Sequence, residues 1–210
     1  MTTAANVSAG KPKIGGAIYT APVGTPLPTD TTTALDSAFK SLGYVSDEGL
    51  TNGTELEVEK IKAWGGDTVL VIQKSKEDTF KYTLIEAKNK DVLGYVYGES
   101  NVTGDINTGL TIKVNNADVP ERSLVIDMIL RDNTAKRIVI PDCKISEVED
   151  IVYSDEDPIG YGTTVDCTPD AEGNTHYEYI KKTVTQSAQS AQSEPADPEE
   201  PTEPTEPTEP

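Results

Sequence analysis

The chain has 210 residues, with 36 acidic against 18 basic side chains and a formal net charge of −18. This balance argues against tight binding to nucleic acid, which needs Lys and Arg to displace counterions from phosphates. No apolar run approaches the roughly 20 residues that cross a bilayer, and the N-terminus has no secretory signal pattern. We therefore expect a protein that is made in the cytoplasm and is not inserted in a membrane.

The first 55 residues are rich in Gly, Pro, Ala and Thr, which predicts mostly irregular backbone. A short helix is predicted within residues 34–42. Its apolar residues Leu35, Phe39 and Leu42 share one helical face, and Thr33 is a suitable N-cap.

After residue 55, apolar and polar residues alternate with the period of a β-strand. Residues 55–63, 68–72 and 80–84 are predicted strands. Two predicted turns, Trp64–Asp67 and Lys74–Asp78, separate them, which gives an antiparallel meander.

One helix interrupts the strands, with Asn89 as its cap, Gly98 as its stop, and Val92, Leu93 and Val96 on one face. From residue 110 to residue 180 the alternation returns in several short segments. Eight or nine strands with one dominant helix predict a mainly β fold, an antiparallel sandwich or small barrel with a flanking helix.

The segment Thr183–Pro210 ends in PTE repeats and has nothing apolar to bury, so it is predicted to be a disordered, polyproline-like tail. Seven of the 36 acids lie there without any base, which leaves 29 acids against 18 bases in the rest of the chain. The predicted organisation is an arm (1–20), a β-domain (21–182) and the tail (183–210).

The sequence contains no recognisable catalytic motif. The single histidine, His176, has no Ser/His/Asp or Cys/His neighbourhood, and no Gly-rich phosphate loop is present. The acidic run Glu147–Asp157 lacks the spacing of an EF-hand. We predict a protein that is not an enzyme and binds neither metal nor cofactor.

Two features leave alternatives open. Trp64, the only tryptophan, is either a core anchor at a hairpin tip or an anchor in a protein interface. Cys143 and Cys167 could pair if their strands were neighbours, and are otherwise free thiols in a reducing cytosol.

The order of these segments resembles the major tail protein, or tail tube protein, of long non-contractile-tailed bacteriophages, especially those of Gram-positive hosts. The resemblance covers about residues 5–182. The segments that carry it are the glycine-rich arm Val7–Tyr19, the predicted helix Ala34–Lys40, Leu42–Gly49, the hairpin that ends in Ala63–Asp67, and Ile85–Gly98.

The resemblance implies a structural virion protein with a β-sandwich or barrel and a flanking helix. It implies hexameric rings that stack into a tube, with an acidic lumen that lets DNA pass without specific binding. The tape measure protein would occupy the lumen, and tail terminator and distal tail proteins would be further partners. The arm and the hairpin Tyr44–Asp67 would join the rings, with these candidate interface residues: Ile14, Ile18, Tyr19, Val45, Leu50, Trp64, Gly65 and Gly66.

Two other functions are compatible with the same sequence. One is another virion β-protein, such as a tail terminator or a capsid-decorating protein. The other is a surface adhesion module, which the Pro/Glu-rich tail suggests but for which no signal or sorting motif is present.

Deletion of Thr183–Pro210 should leave assembly intact, because this segment offers no apolar surface and its seven acids oppose packing against an acidic domain. Electron microscopy of the truncated and full-length chains tests this. Loss of filaments on truncation would contradict it.

Overall fold

The structure, a computed structural model, describes residues 2–13 and 16–182. These residues form eleven strands and one α-helix: β1 (Lys11–Pro12), β2 (Ile18–Pro22), β3 (Lys40–Ser41), β4 (Val45–Lys62), β5 (Thr68–Leu84), α1 (Lys90–Tyr97), β6 (Val102–Asp105), β7 (Gly109–Ile112), β8 (Arg122–Ile129), β9 (Thr134–Val148), β10 (Tyr161–Cys167) and β11 (Tyr177–Lys182). The strands pair antiparallel. The predicted mainly β, antiparallel fold with one helix is confirmed.

The main sheet has the strand order β3-β2-β8-β9-β10-β5-β4, with β1 added to β8 and β11 added to β9. The long strand β9 serves two neighbours on one side, since its first half pairs with β11 and its second half with β10. Between the halves lies Pro141, and the register against β8 shifts at the same place. A proline lacks the N–H of a ladder hydrogen bond and is found at such irregularities, so it marks the change of partner.

Helix α1 packs its apolar face into the core of the sheet, with Val92 and Leu93 almost fully buried. The Asn89 side chain accepts a hydrogen bond from the Asp91 N–H at 3.0 Å, and Gly98 ends the helix with a φ of 91°. The predicted helix, including its cap and its stop, is confirmed.

The predicted helix at residues 34–42 is wrong. Asp30 and Asp36 instead bind the backbone N–H groups of residues two or three positions further on, with Asp36 Oδ1 accepting from Ala38 N at 2.9 Å. Such local bonds compete with helical hydrogen bonds. The segment then ends in the short strand β3, and the Leu42 N–H donates to Ile18 O at 2.9 Å.

A buried ion pair holds this irregular segment against the sheet. Arg137 donates from Nε and Nη2 to both carboxylate oxygens of Asp127, at 2.6 and 2.9 Å. Its Nη1 donates to the backbone carbonyls of Asp30 and Thr33, at 3.0 and 2.7 Å. One guanidinium therefore satisfies a buried carboxylate and fixes a chain segment about 100 residues away in sequence.

The predicted turn at Lys74–Asp78 is also wrong, because β5 runs without interruption from Thr68 to Leu84 and pairs with β4 along its length. This stretch contains no Gly, Pro or Asn. Its residues Lys74, Lys76 and Glu77 are exposed on a two-stranded part of the sheet, where no core requires apolar alternation.

Cys143 and Cys167 are direct register partners on the neighbouring strands β9 and β10, and both are free thiols. Burial raises the pKa of the Cys143 thiol well above its usual value and that of Cys167 to about 12. Both therefore remain protonated at neutral pH, and the Cys143 thiol lies 3.2 Å from the Arg122 carbonyl oxygen, to which it donates.

Replacement of Arg137 by Ala should destabilise the subunit by about 3–5 kcal/mol, because the buried Asp127 carboxylate loses its two short hydrogen bonds and keeps only the 3.3 Å contact with the half-exposed Lys13. Urea unfolding of the unassembled subunit measures the change. Lys144→Ala, which breaks only the exposed ion pair with Asp118, is the control and should cost less than about 1 kcal/mol. Equal effects of the two substitutions would refute this role of Arg137.

Candidate subunit interface

The β4–β5 hairpin extends well beyond the core of the subunit. Its core-proximal end lies at the register pair Thr54/Asp78, and every residue from 55 to 74 is exposed. A two-stranded hairpin alone is marginally stable in water, because it has no third strand or helix to cover either face. The projecting part, residues 55–77, is named the ribbon below.

The ribbon exposes an unusual amount of apolar surface. Trp64 at its tip has a relative exposure of 105%. The other exposed large apolar residues of the ribbon are Leu56, Val58, Ile61, Val69, Leu70, Val71 and Ile72. Exposed apolar side chains that cluster on one projecting hairpin are typical of a protein interaction site.

The tip is a tight turn, as predicted at Trp64–Asp67. The Ala63 N–H donates to Asp67 O at 2.8 Å and the Gly66 N–H donates to Ala63 O at 2.9 Å. Gly66 has a φ of 93°, a conformation that favours glycine. Trp64 contributes nothing to the core of its own subunit, so the interpretation as a core anchor is wrong and its role in an interface stays a prediction.

A buried carboxylate fixes the base of the ribbon. Asp78 accepts hydrogen bonds from Thr54 Oγ1 and Thr175 Oγ1, both at 2.6 Å, and pairs with Lys76 at 3.0 Å. Burial alone would raise the pKa of Asp78, but the hydrogen bonds from Thr175 and Thr54, together with Lys76, lower it to about 2. The carboxylate thereby ties β4 and β5 to the segment that precedes β11.

The predicted interface residues in the hairpin lie at its two ends. Trp64, Gly65 and Gly66 are exposed at the tip, whereas Val45 and Leu50 are half-buried against the core near the base. Sequence reasoning predicted residues 68–72 as a strand but did not assign them to the interface, because it ended the hairpin at Asp67. The absence of Gly, Pro and Asn from residues 74–78 was the available signal that the strand continues.

The predicted arm residues are distributed differently. Ile14 lies outside the described residues. Ile18 is 1% exposed and pairs with Ile126 in β2 and β8, so it offers no surface to a neighbour. Tyr19 is half-buried, and its hydroxyl donates to Gly16 O at 3.3 Å. The predicted boundary at residue 20 falls within β2.

The described part of the arm, residues 2–13, is exposed but attached to its own subunit. Lys11 and Pro12 form β1 on the end of β8, and Lys13 N donates to Asp127 O at 3.2 Å. Ser8 Oγ accepts from the Arg131 N–H at 2.6 Å. The arm thus follows the edge of β8, with no apolar side chain buried.

His176, the residue considered for catalysis or metal binding, packs against the core. The His176 ring packs edge-on against Phe80 at 5.2 Å, and its Nδ1 lies 3.2 Å from Thr175 Oγ1. Among the described residues, no group of three or more His, Cys, Asp or Glu side chains could hold a metal ion. In the same part of the chain, no helix has the length and apolar character needed to span a membrane.

Comparison with known protein families gives a match over most of the chain. The model of a family described as phage tail tube protein matches residues 6–192. No curated protein matches the chain.

The stability of the subunit should fall in acid through Asp78. Since its pKa in the folded protein is about 2, below the ordinary 3.8, its contribution is complete above pH 4 and is lost as the pH falls to 2. Urea unfolding across this range should show Asp78→Asn less stable than the wild type at pH 6, with the difference closing in acid. Asp155→Asn, in the exposed loop before β10, is the matched control. A constant difference for Asp78→Asn at all pH values would disprove the assignment.

Proposed function

The chain belongs to the phage tail tube protein family, and we propose that it forms hexameric rings that stack around an acidic lumen through which the genome is ejected. The family is structural and not enzymatic, and its members assemble into the tube of the virion tail.

The observation that carries this proposal is the ribbon. Residues 55–74 have both faces exposed, and Leu56, Leu70 and Trp64 add apolar surface that a solitary subunit cannot cover. Neighbouring copies would remove this surface from water, at a gain of roughly 25 cal/mol per Å². Stacked rings give each ribbon a neighbour to contact.

The free edges of the sheet support ring closure. Strand β4 is the last strand of the main sheet, so the backbone groups on its outer side have no partner strand within the described residues. Unpaired edges favour pairing with other chains. A closed ring satisfies each edge with a neighbour and limits the contact to a defined number of copies.

The charge of the chain supports a conduit for DNA. A surface dominated by carboxylates repels phosphates, whereas lysines and arginines along a lumen would hold each phosphate and slow the transit. In the completed tail, the tape measure protein would fill the lumen before ejection. Tail terminator and distal tail proteins would contact the two ends of the tube, and the arm, with Ile14 and Tyr19, would take part in ring stacking.

Negative-stain microscopy of the purified full-length chain tests the proposed function. Hollow filaments of uniform width, with six-fold symmetry in end-on views, are expected. Monomers or closed particles without filaments, over a wide range of protein concentration and salt, would contradict it.

Trp64→Ala should impair assembly and leave folding unchanged, because the side chain contacts nothing in its own core. Truncation of an interface anchor costs about 2 kcal/mol or more per contact, and the loss recurs at every ring. Filament length and the thermal midpoint of the unassembled subunit are the measurements.

Two variants control this test. Trp64→Phe keeps most of the aromatic area and should recover part of the assembly, and Val114→Ala removes another exposed apolar side chain from outside the ribbon. Normal filaments from Trp64→Ala, or an equal defect from Val114→Ala, would exclude Trp64 as an anchor.

A further inference from the structure

The ribbon has two faces of opposite charge. In an antiparallel pair, directly opposite residues share a face and successive residues alternate between faces. The register pairs 55/77, 57/75, 59/72 and 61/70 therefore lie on one face, and the pairs 56/76, 58/73, 60/71 and 62/68 lie on the other, with Val69 and Lys74 as extra residues of β5 where the register shifts. The first set contains Glu55, Glu57, Glu59 and Glu77, and the second contains Lys60, Lys62 and Lys76.

The acidic face is electrostatically unfavourable within one subunit. Glu55 and Glu77 are direct register partners, and like charges in this position destabilise a strand pair. Among the described residues, Glu59 has an ion pair with Lys74, and Glu57 accepts only from Ser75 Oγ, at 3.4 Å. The carboxylates near the base of the ribbon thus lack basic partners within their own subunit.

On the basic face, lysines lack acidic partners, and these lysines lie nearer the tip of the ribbon. Lys76 is paired with the buried Asp78, but Lys60 and Lys62 form no ion pair in the part of the chain that the structure describes. Val58 and Val71 are exposed beside them. This face presents two uncompensated cations together with apolar surface.

We propose that these faces bind each other between copies of this chain, so that the basic tip of one ribbon lies on the acidic base of the ribbon of the next copy. This contact rests on the proposed function and specifies how neighbouring subunits recognise each other. It is heterologous, since two different surfaces of the same chain meet, and such contacts propagate into rings or filaments. The occupant of each face is a second copy, because each face supplies the charge that the other lacks.

Charge-reversal variants test the pairing. Lys60→Glu with Lys62→Glu makes both faces acidic, and Glu55→Lys with Glu57→Lys makes both faces basic. Each double variant should fold normally, since all four side chains are exposed. Each alone should need at least about tenfold more protein to form tubes, because like charges then meet across the contact.

The decisive arm mixes the two double variants in equal amounts. The mixture should form tubes at wild-type concentrations, because each variant supplies the charge that the other needs, and the fourfold variant with both faces exchanged should also assemble. Asp155→Lys with Glu156→Lys, and Lys181→Glu with Lys182→Glu, are matched reversals on exposed residues outside the ribbon and should assemble as the wild type does.

Each result has a separate meaning. Absence of wild-type tubes would overturn the proposed function together with this pairing. Wild-type tubes with normal assembly of either double variant, or with no recovery in the mixture, would overturn the pairing alone. Sedimentation of the assembled fraction, checked by microscopy and by the thermal midpoint of each unassembled variant, provides the measurement.

Discussion

The rest of the structure depends on the hydrogen bonds that Asp78 accepts, because they fix the point at which β5 leaves the core. On one side of this residue, Phe80 and Tyr82 are buried. On the other side, both faces of the same strand are exposed. Since Thr54 and Thr175 both donate to the carboxylate, the direction of the ribbon is coupled to the sheet behind it. Without such an anchor, the hydrogen bonds between β4 and β5 could open from the tip of the hairpin back to the core.

The ribbon carries apolar and charged side chains that its own subunit leaves exposed. A single subunit covers neither its apolar residues nor its opposed glutamates at positions 55 and 77. In the proposed contact, its free energy falls because the basic face of another copy covers them. In the proposed tube, the subunits would fold independently, since β5 contributes Phe80 and Tyr82 to the core and its exposed part to the ribbon. The negative charge of the chain is compatible with this, because complementary patches need only local basic residues.

The buried pair of Arg137 and Asp127 shows how tertiary contacts decide local structure. The segment from Asp30 to Leu42 has the apolar spacing of a helix, yet its backbone carbonyls at Asp30 and Thr33 are taken by Arg137. These contacts, together with the bonds from the Asp30 and Asp36 side chains to nearby backbone N–H groups, hold the segment in a non-helical conformation. The segment from Asp30 to Leu42 consequently lies against β9, and its strand β3 pairs with β2.

By itself, the sequence determined the features whose causes are local: the helix α1 with its Asn89 cap, the tip turn at Gly66, and the antiparallel β class that follows from alternation. Only the tertiary structure decided which alternating segments join, that β5 continues through residues 74–78, and that Ile18 is buried while Trp64 is exposed. Neighbouring positions in sequence report backbone preference, but burial and strand partners depend on residues far away in the chain. The two faces of the ribbon became visible only with the register, because a shift of one residue exchanges every side chain between faces.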